Sequence, residues 1–317
     1  MDEFDLIARY FAPMAAADGA EGLQDDVALL SPPADRPIIV TTDALVEGVH
    51  FLKTDPLDAV AKKLVRVNVS DVLAKGALPF AASLTLIWPQ GRAISEIGTF
   101  AAGLKDDLAH WGVSLIGGDT TRTPGPLTLS MTLHGMCLSS GGPVRRRGAV
   151  VGDRVYITGE IGRGFLGLQA AQGQLRPEYA KNADALLAAY RIPTLPNLSV
   201  ARVIADHAHA SLDVSDGLMA DAGHLAKCSG VRIRLNAANI PFPEGPEHFT
   251  EEMIEGLVTG GDDYQTLFCA PEGLDVHNRD NELKLTCIGE VLTGEGVELI
   301  GVDGAPLTFT TSGWSHF

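Results

Sequence analysis

Ile38-Ile39-Val40-Thr41-Thr42-Asp43 is a β-branched apolar run that ends in two hydroxyls and a carboxylate. Such a run reads as a buried strand that delivers Thr41, Thr42 and Asp43 at its end. Asp55-Pro56 follows as a helix N-cap and first helical position, and opens a helix that continues to about Lys75 and stops at Gly76. Within that helix Asn68 and Asp71 are three residues apart and share a face. Working outward, 84–87 reads as a strand, 94–111 as a helix, 113–116 as a strand ending in Gly117-Gly118-Asp119, and 127–135 as a further strand. The alternation predicts an α/β domain.

Around Ser139-Ser140-Gly141-Gly142-Pro143 the composition turns to small, turn-forming residues, and Arg145-Arg146-Arg147 follows. A boundary here divides the chain into domains 1–140 and 141–317. In the second, 154–158 reads as a strand, 165–171 and 184–190 as helices, and Pro193 and Pro196 break the chain. Strand 211–214 leads into a helix capped by Asp216, with further strands at 231–235, 265–269 and 283–288.

Six acidic clusters border apolar runs: Gln24-Asp25-Asp26, Thr41-Thr42-Asp43, Ser70-Asp71, Gly117-Gly118-Asp119-Thr120-Thr121, Asp213-Val214-Ser215-Asp216-Gly217 and Gly260-Gly261-Asp262-Asp263. Carboxylates gathered by folding repel one another unless cations lie between them, and Mg²⁺ takes hard oxygen ligands from carboxylates and phosphates. The pattern points to a magnesium–phosphate site. A net charge of −16, from 24 Lys and Arg against 40 Asp and Glu, speaks against a nucleic-acid surface. With 45% apolar and 20% charged residues the composition is globular, and there is no apolar run long enough to span a membrane. The acidic start Met1-Asp2-Glu3 does not read as a signal peptide, and Cys137, Cys228, Cys269 and Cys287 form no C-x-x-C pair. A reduced, cytoplasmic protein is expected.

Gly162-Arg163-Gly164-Phe165-Leu166-Gly167 matches G-x-G-x-x-G after a predicted strand. A dinucleotide fingerprint requires a second parallel strand with an acid about 20 residues on, whereas polar, turn-like Gln172-Gly173-Gln174-Leu175-Arg176-Pro177 follows here. A tight strand-to-helix turn is therefore the favoured reading. No Gly-Lys dipeptide, H-E-x-x-H or G-x-S-x-G occurs, which excludes a Walker loop and two common hydrolase signatures. The triple arginine is the densest positive charge in an acidic chain, and one of its members is a candidate phosphate clamp.

In order along the chain, Gly22-Leu23-Gln24-Asp25-Asp26, Thr41-Thr42-Asp43 with His50-Phe51, Asn68-Val69-Ser70-Asp71, Ile116-Gly117-Gly118-Asp119-Thr120-Thr121, Leu212-Asp213-Val214-Ser215-Asp216-Gly217, Gly260-Gly261-Asp262-Asp263-Tyr264 and Gly313-Trp314-Ser315-His316-Phe317 closely resemble the thiamine-monophosphate kinases. That family belongs to the aminoimidazole-ribonucleotide synthetase-like superfamily. The resemblance implies a two-domain α/β (α+β) fold, with an N-terminal ATP- and Mg-binding domain and a C-terminal α/β domain. It implies transfer of a phosphoryl group from ATP to thiamine monophosphate, and a homodimer formed through the N-terminal domains with ATP in a cleft between the two halves.

Residue by residue, the resemblance assigns Asp26, Thr41, Thr42, Asp43, Asp71, Asp119, Asp213 and Asp216 to several Mg²⁺ ions. Gly118, Asp119, Arg146 and Ser215 fall to ATP, and His50, Asp262 and Trp314 to thiamine monophosphate. Asp43, Asp71 and Asp119 form its catalytic group, with Asp43 and Asp71 shared between ions. The chain departs from the family patterns Gly-Gly-Glu-Asp-Tyr-Glu and Gly-Ile-Gly-Asp-Asp: Asp262 and Gln265 stand where glutamates are usual, Asp262 being one methylene shorter, and Leu23 and Gln24 stand where isoleucine and glycine are usual. Another ATP-dependent synthetase of the superfamily is an alternative, but a selenophosphate enzyme would need a reactive cysteine near the N-terminus and a hydrogenase-maturation relative would end in cysteine. The first cysteine here is Cys137 and the last residue is Phe317. A non-catalytic binder of nucleotide or divalent cations is the alternative from a different class.

Overall fold

The computed structural model describes residues 3–25, 27–245, 249–274, 283–309 and 313. It separates into two compact units, Met1–Val72 with Ala77–Gly142, and Leu73–Gly76 with Pro143–Phe317.

After a short helix α1 (Glu3–Leu6), the first unit is built from β1 (Ile38–Val46), α2 (Leu57–Ala74), β2 (Ala77–Pro89), α3 (Ile97–Trp111), β3 (Ser114–Thr123) and β4 (Thr128–Cys137). Its sheet has the order β1-β4-β2-β3. β2 and β3 are parallel with α3 as their crossover, while β4 pairs antiparallel with β1 and β2. Alternate residues of β4 are buried, so one face of the sheet carries Leu129, Met131 and Leu133 into the core. The two helices cross closely, because a Cβ on Gly103 would lie 2.2 Å from the Asp58 carbonyl. Arg66 bridges them with a two-pronged bond to the buried Asp107, at 3.0 Å from Nε and 2.9 Å from Nη2.

Two boundaries differ from the sequence expectation. β1 runs on to Val46 and β3 to Thr123, so Thr41–Asp43 and Gly117–Asp119 lie within strands rather than at their ends. Pairing with β4 and β2 continues past both clusters and extends the strands beyond the apolar runs that mark them.

The second unit holds β5 (Arg154–Thr158), α4 (Arg163–Ala171), α5 (Ala183–Arg191), α6 (Ser199–His207), β6 (Ala210–Val214), α7 (Leu218–Ser229), β7 (Arg232–Asn236), α8 (Glu251–Thr259), β8 (Gln265–Ala270), β9 (Leu285–Leu292), β10 (Gly296–Ile300) and β11 (Pro306–Leu307). Its sheet order is β11-β10-β7-β9-β5-β8-β6, antiparallel except for β7 with β10. β6 and β8 are buried along their whole length. Asp216 does not cap α7: the N-cap position is Gly217, and no side chain bonds there. Among the described residues no helix is long and apolar enough to cross a membrane.

Candidate functional site

In the first unit the strand period sorts the predicted ligands by face. Thr41, Asp43 and Leu45 turn toward α2, while Val40, Thr42 and Ala44 turn the other way and are exposed. Asn68 and Asp71, three apart on α2, both reach β1. Thr41 Oγ1 donates to Asp71 Oδ2 at 2.5 Å, and Asn68 Oδ1 accepts the Asp43 amide at 3.2 Å. β1 is an edge strand, and Asp43 lies opposite Met131 of β4, so the Asn68 contact from α2 adds to the pairing with β4. Burial, and then the charge of Asp71, pushes the Asp43 carboxyl up to about 6. All the side chains gathered here offer oxygen, and two carboxylates already strain against each other's charge. This arrangement fits a hard divalent cation.

Thr42 lies on the other face, with its hydroxyl 2.9 Å from that of Thr132 directly across the strand pair. Asp119 belongs to that outer face too. The register links Ala44, Ser130, Thr85 and Asp119 in one row across the sheet. Asp119 therefore stands three strands from Asp43, roughly 14 Å at about 4.8 Å per strand. Asp43 and Asp71 are brought together within one chain, and Asp119 is not brought to them. A bulge at Ile116 immediately precedes Gly117-Gly118-Asp119 and resets their register against β2. Gly118 has to be glycine, since a Cβ there would lie 2.0 Å from the Leu84 carbonyl.

The Gly117–Thr120 backbone borders a cavity of about 560 Å³. Phe11, Leu30 and Ile116 supply apolar walls, and His134 presents a buried Nδ1 that has no hydrogen-bond partner among the described residues. His50 sits in the turn after β1, where its Nδ1 accepts the Val46 amide at 3.0 Å. That bond places the ring proton on Nε2, making it a donor. Asp26 lies outside the described residues.

The second unit carries the other cluster. Asp213 is buried in β6 opposite Thr266, and the chain then turns through Ser215 and Asp216 into α7. The amides of Ser215 and Asp216 both donate to Asp221 Oδ2 at 3.0 Å. Burial pushes the Asp221 carboxyl up to about 7, against the stabilising bond from the Asp216 amide. The ligand atoms of Asp216, Asp221 and His224 all lie within 4.8 Å of one another. Arg146 is exposed, its carbonyl accepts the Ser229 hydroxyl at 3.3 Å, and its charge works to lower the Asp221 pKa.

Asp262 donates its amide to the Ser215 carbonyl at 2.9 Å, and its Oδ1 accepts the Tyr264 hydroxyl at 2.8 Å. Trp314 lies outside the described residues; of its neighbours, Gly313 packs so closely that a Cβ would meet the Asp216 carbonyl at 2.7 Å.

Asp221 and His224 were not singled out from the sequence, and Asp263 stood in its acidic cluster without a role of its own. Asp221 leaves a trace there, as a carboxylate within the buried stripe Leu218, Ala222, Leu225 of α7.

A family model described as AIR synthase related protein, N-terminal domain, matches residues 24–137. The thiamine-monophosphate kinase of Caulobacter vibrioides is 40% identical, over 99% of this chain and 90% of its own length. The chain belongs to the thiamine-monophosphate kinase family. Solved structures of the family have the same two-unit fold. That of the Stenotrophomonas maltophilia K279a thiamine-monophosphate kinase is 33% identical with a TM-score of 0.83, covering 96% of this chain and 98% of that one. AaThiL complexed with AMPPCP and TMP is also 33% identical, with a TM-score of 0.76 over 92% of this chain and 91% of that one.

Proposed function

We propose that this chain is a thiamine-phosphate kinase that transfers the terminal phosphoryl group of ATP to thiamine monophosphate (TMP), giving thiamine diphosphate and ADP. The observation that carries the reading is the Asp43–Asp71 pair, two carboxylates from β1 and α2 held together around Thr41. Family membership and the AaThiL complex supply the identity of the substrates.

Asp43, Asp71 and Thr41 would hold Mg²⁺ in the first unit, and Asp213 and Asp216 in the second, with Asp26, Thr42 and Asp119 completing the set. When bound, such ions neutralise charge on the phosphoryl oxygens. The chain's own residues then bind and orient. The backbone at Gly118 and Ser215, with the Arg146 guanidinium, would position ATP, and the cavity beside Gly118 would take its nucleoside end. His50 would donate from Nε2 to TMP, and Asp262 and Trp314 would recognise its thiamine part. No strong general base is required, because the attacking group is a phosphate already anionic at neutral pH.

A homodimer in the cytoplasm is part of the same proposal. Cys228, Cys269 and Cys287 are thiols, which is consistent with a reducing compartment, and the dimer is inferred from the family. A coupled assay for ADP release decides the main point. Release should depend on TMP and on Mg²⁺, and ADP formation indifferent to TMP would point to another synthetase of the superfamily or to a simple nucleotide binder.

A further inference from the structure

The G-x-G-x-x-G run has a use, and it is not a nucleotide. Gly162 and Gly164 open α4 with their amides pointing at one carboxylate: Asp263 Oδ2 accepts from Gly162 at 2.7 Å and Oδ1 from Gly164 at 3.0 Å. Asp263 is 4% exposed, so the anion-binding end of this helix is filled from within the chain. The glycines serve that approach. A Cβ on Gly164 would meet the Asp262 carbonyl oxygen at 2.5 Å and the Gly261 carbonyl oxygen at 2.6 Å, and Gly162 adopts φ +96.

The residues on either side of Asp263 show what the anchor does. Asp262 has φ +71 and Tyr264 φ +51, left-handed conformations that side-chain-bearing residues rarely adopt without being held there. The ribbon is pinned on its other side by the Asp262 amide on the Ser215 carbonyl and the Tyr264 amide on the Val214 carbonyl, at 2.9 and 2.7 Å. Tyr264 also reaches back to Asp262 Oδ1. Because Asp262 is one methylene shorter than a glutamate, its carboxylate relies more on the backbone for its direction.

We propose that Asp263 is a positioning residue for substrate recognition. By seating its carboxylate on the Gly162 and Gly164 amides, it holds Asp262 in the left-handed conformation and aims the Asp262 carboxylate at the thiamine part of TMP. The inference rests on the substrate role of Asp262 given above. The nucleotide side touches this ribbon through the Ser215 carbonyl but has a second anchor of its own, the Ser215 and Asp216 amides on Asp221.

Asp263→Asn keeps the shape but sets an amide donor against a glycine N–H donor. It should raise the KM for TMP tenfold or more, while the KM for ATP stays within about twofold. Gly164→Ala, which presses on the Asp262 and Gly261 carbonyls and leaves the Asp263 carboxylate in place, should show the same selectivity; it carries the test if Asp263→Asn does not fold. In a cycle with Asp262→Ala, the double variant should match Asp262→Ala alone, since Asp263 acts through Asp262. Equal losses for ATP and TMP, additive effects in the cycle, an unchanged TMP KM in folded Asp263→Asn or an unchanged TMP KM in Asp262→Ala would each overturn the proposal. Absence of TMP-dependent ADP release in the unsubstituted protein would instead overturn the kinase reading itself.

Discussion

The Thr41 hydroxyl and the Asp71 carboxylate meet at 2.5 Å, joining the edge strand of the first sheet to the helix that packs beneath it. One Asp71 oxygen thus serves the fold, and its charge serves the site.

Asp71→Asn separates the two roles. The amide oxygen can still accept from Thr41, so the melting temperature should stay within a few degrees of the unsubstituted protein. Turnover should fall at least a hundredfold, in the range seen when a group stabilising transition-state charge is lost. Full activity at limiting Mg²⁺, measured by ADP release, would remove Asp71 from the metal site.

The Asp43 carboxyl, raised from an ordinary 3.8 to about 6 in the folded chain, gives a pH signature in metal-free protein. Between those values the folded chain keeps a proton that the unfolded chain has lost. Stability conferred by the protonated form is therefore complete below about 4 and is lost as pH rises through about 6. Asp43→Asn cannot ionise and escapes this loss. Melting with chelator present should show the variant gaining on the unsubstituted protein from pH 4 to pH 7, by a few degrees. Added Mg²⁺ should narrow the gap at pH 7. A difference that does not change with pH would show that Asp43 is not the group responsible.

Asp221 holds the Ser215–Asp216 turn by its backbone amides, so Asp221→Ala leaves two donors without their charged acceptor. Hydrogen bonds to charged groups are worth about 1.5–3 kcal/mol, and even half of that transmitted to the nucleotide raises the KM for ATP about fourfold to tenfold. Exposed Arg146 should behave alike on truncation, with the ATP KM rising and the melting temperature unchanged. Steady-state kinetics with each substrate varied decides both, and losses shared equally with TMP would count against them.

Gly118→Ala places a methyl 2.0 Å from the Leu84 carbonyl. Strands β2 and β3 must part to admit it, at a cost of about 1–3 kcal/mol in stability, and ATP affinity should fall with it. Denaturant unfolding alongside ATP titration tests the link; a variant as stable as the parent would show that the bulge at Ile116 absorbs the methyl.

The sequence was most informative where structure is local. β5 spans Arg154–Thr158 as the apolar run indicates, and Asn68 and Asp71 share a helix face as their spacing requires. α8 went unread although Thr250 announces it, with a hydroxyl that accepts the Met253 amide. α6 was hidden behind Pro193 and Pro196, which stop the preceding chain without forbidding a helix at Ser199.

By itself the sequence determined the α/β character, the family and the set of oxygen-bearing residues, because period, capping and motif spacing are properties of neighbours along the chain. Only the tertiary structure decided which of those residues act together. Thr42 and Asp119 share one sheet face and Asp43 the other, a division set by cross-strand register and the bulge at Ile116. Asp221, and the part played by Asp263, became visible only once folded. A buried carboxylate needs donors, and theirs are backbone amides: those of Ser215 and Asp216 for Asp221, and for Asp263 those of Gly162 and Gly164, about a hundred residues away along the chain, which only the fold brings within reach.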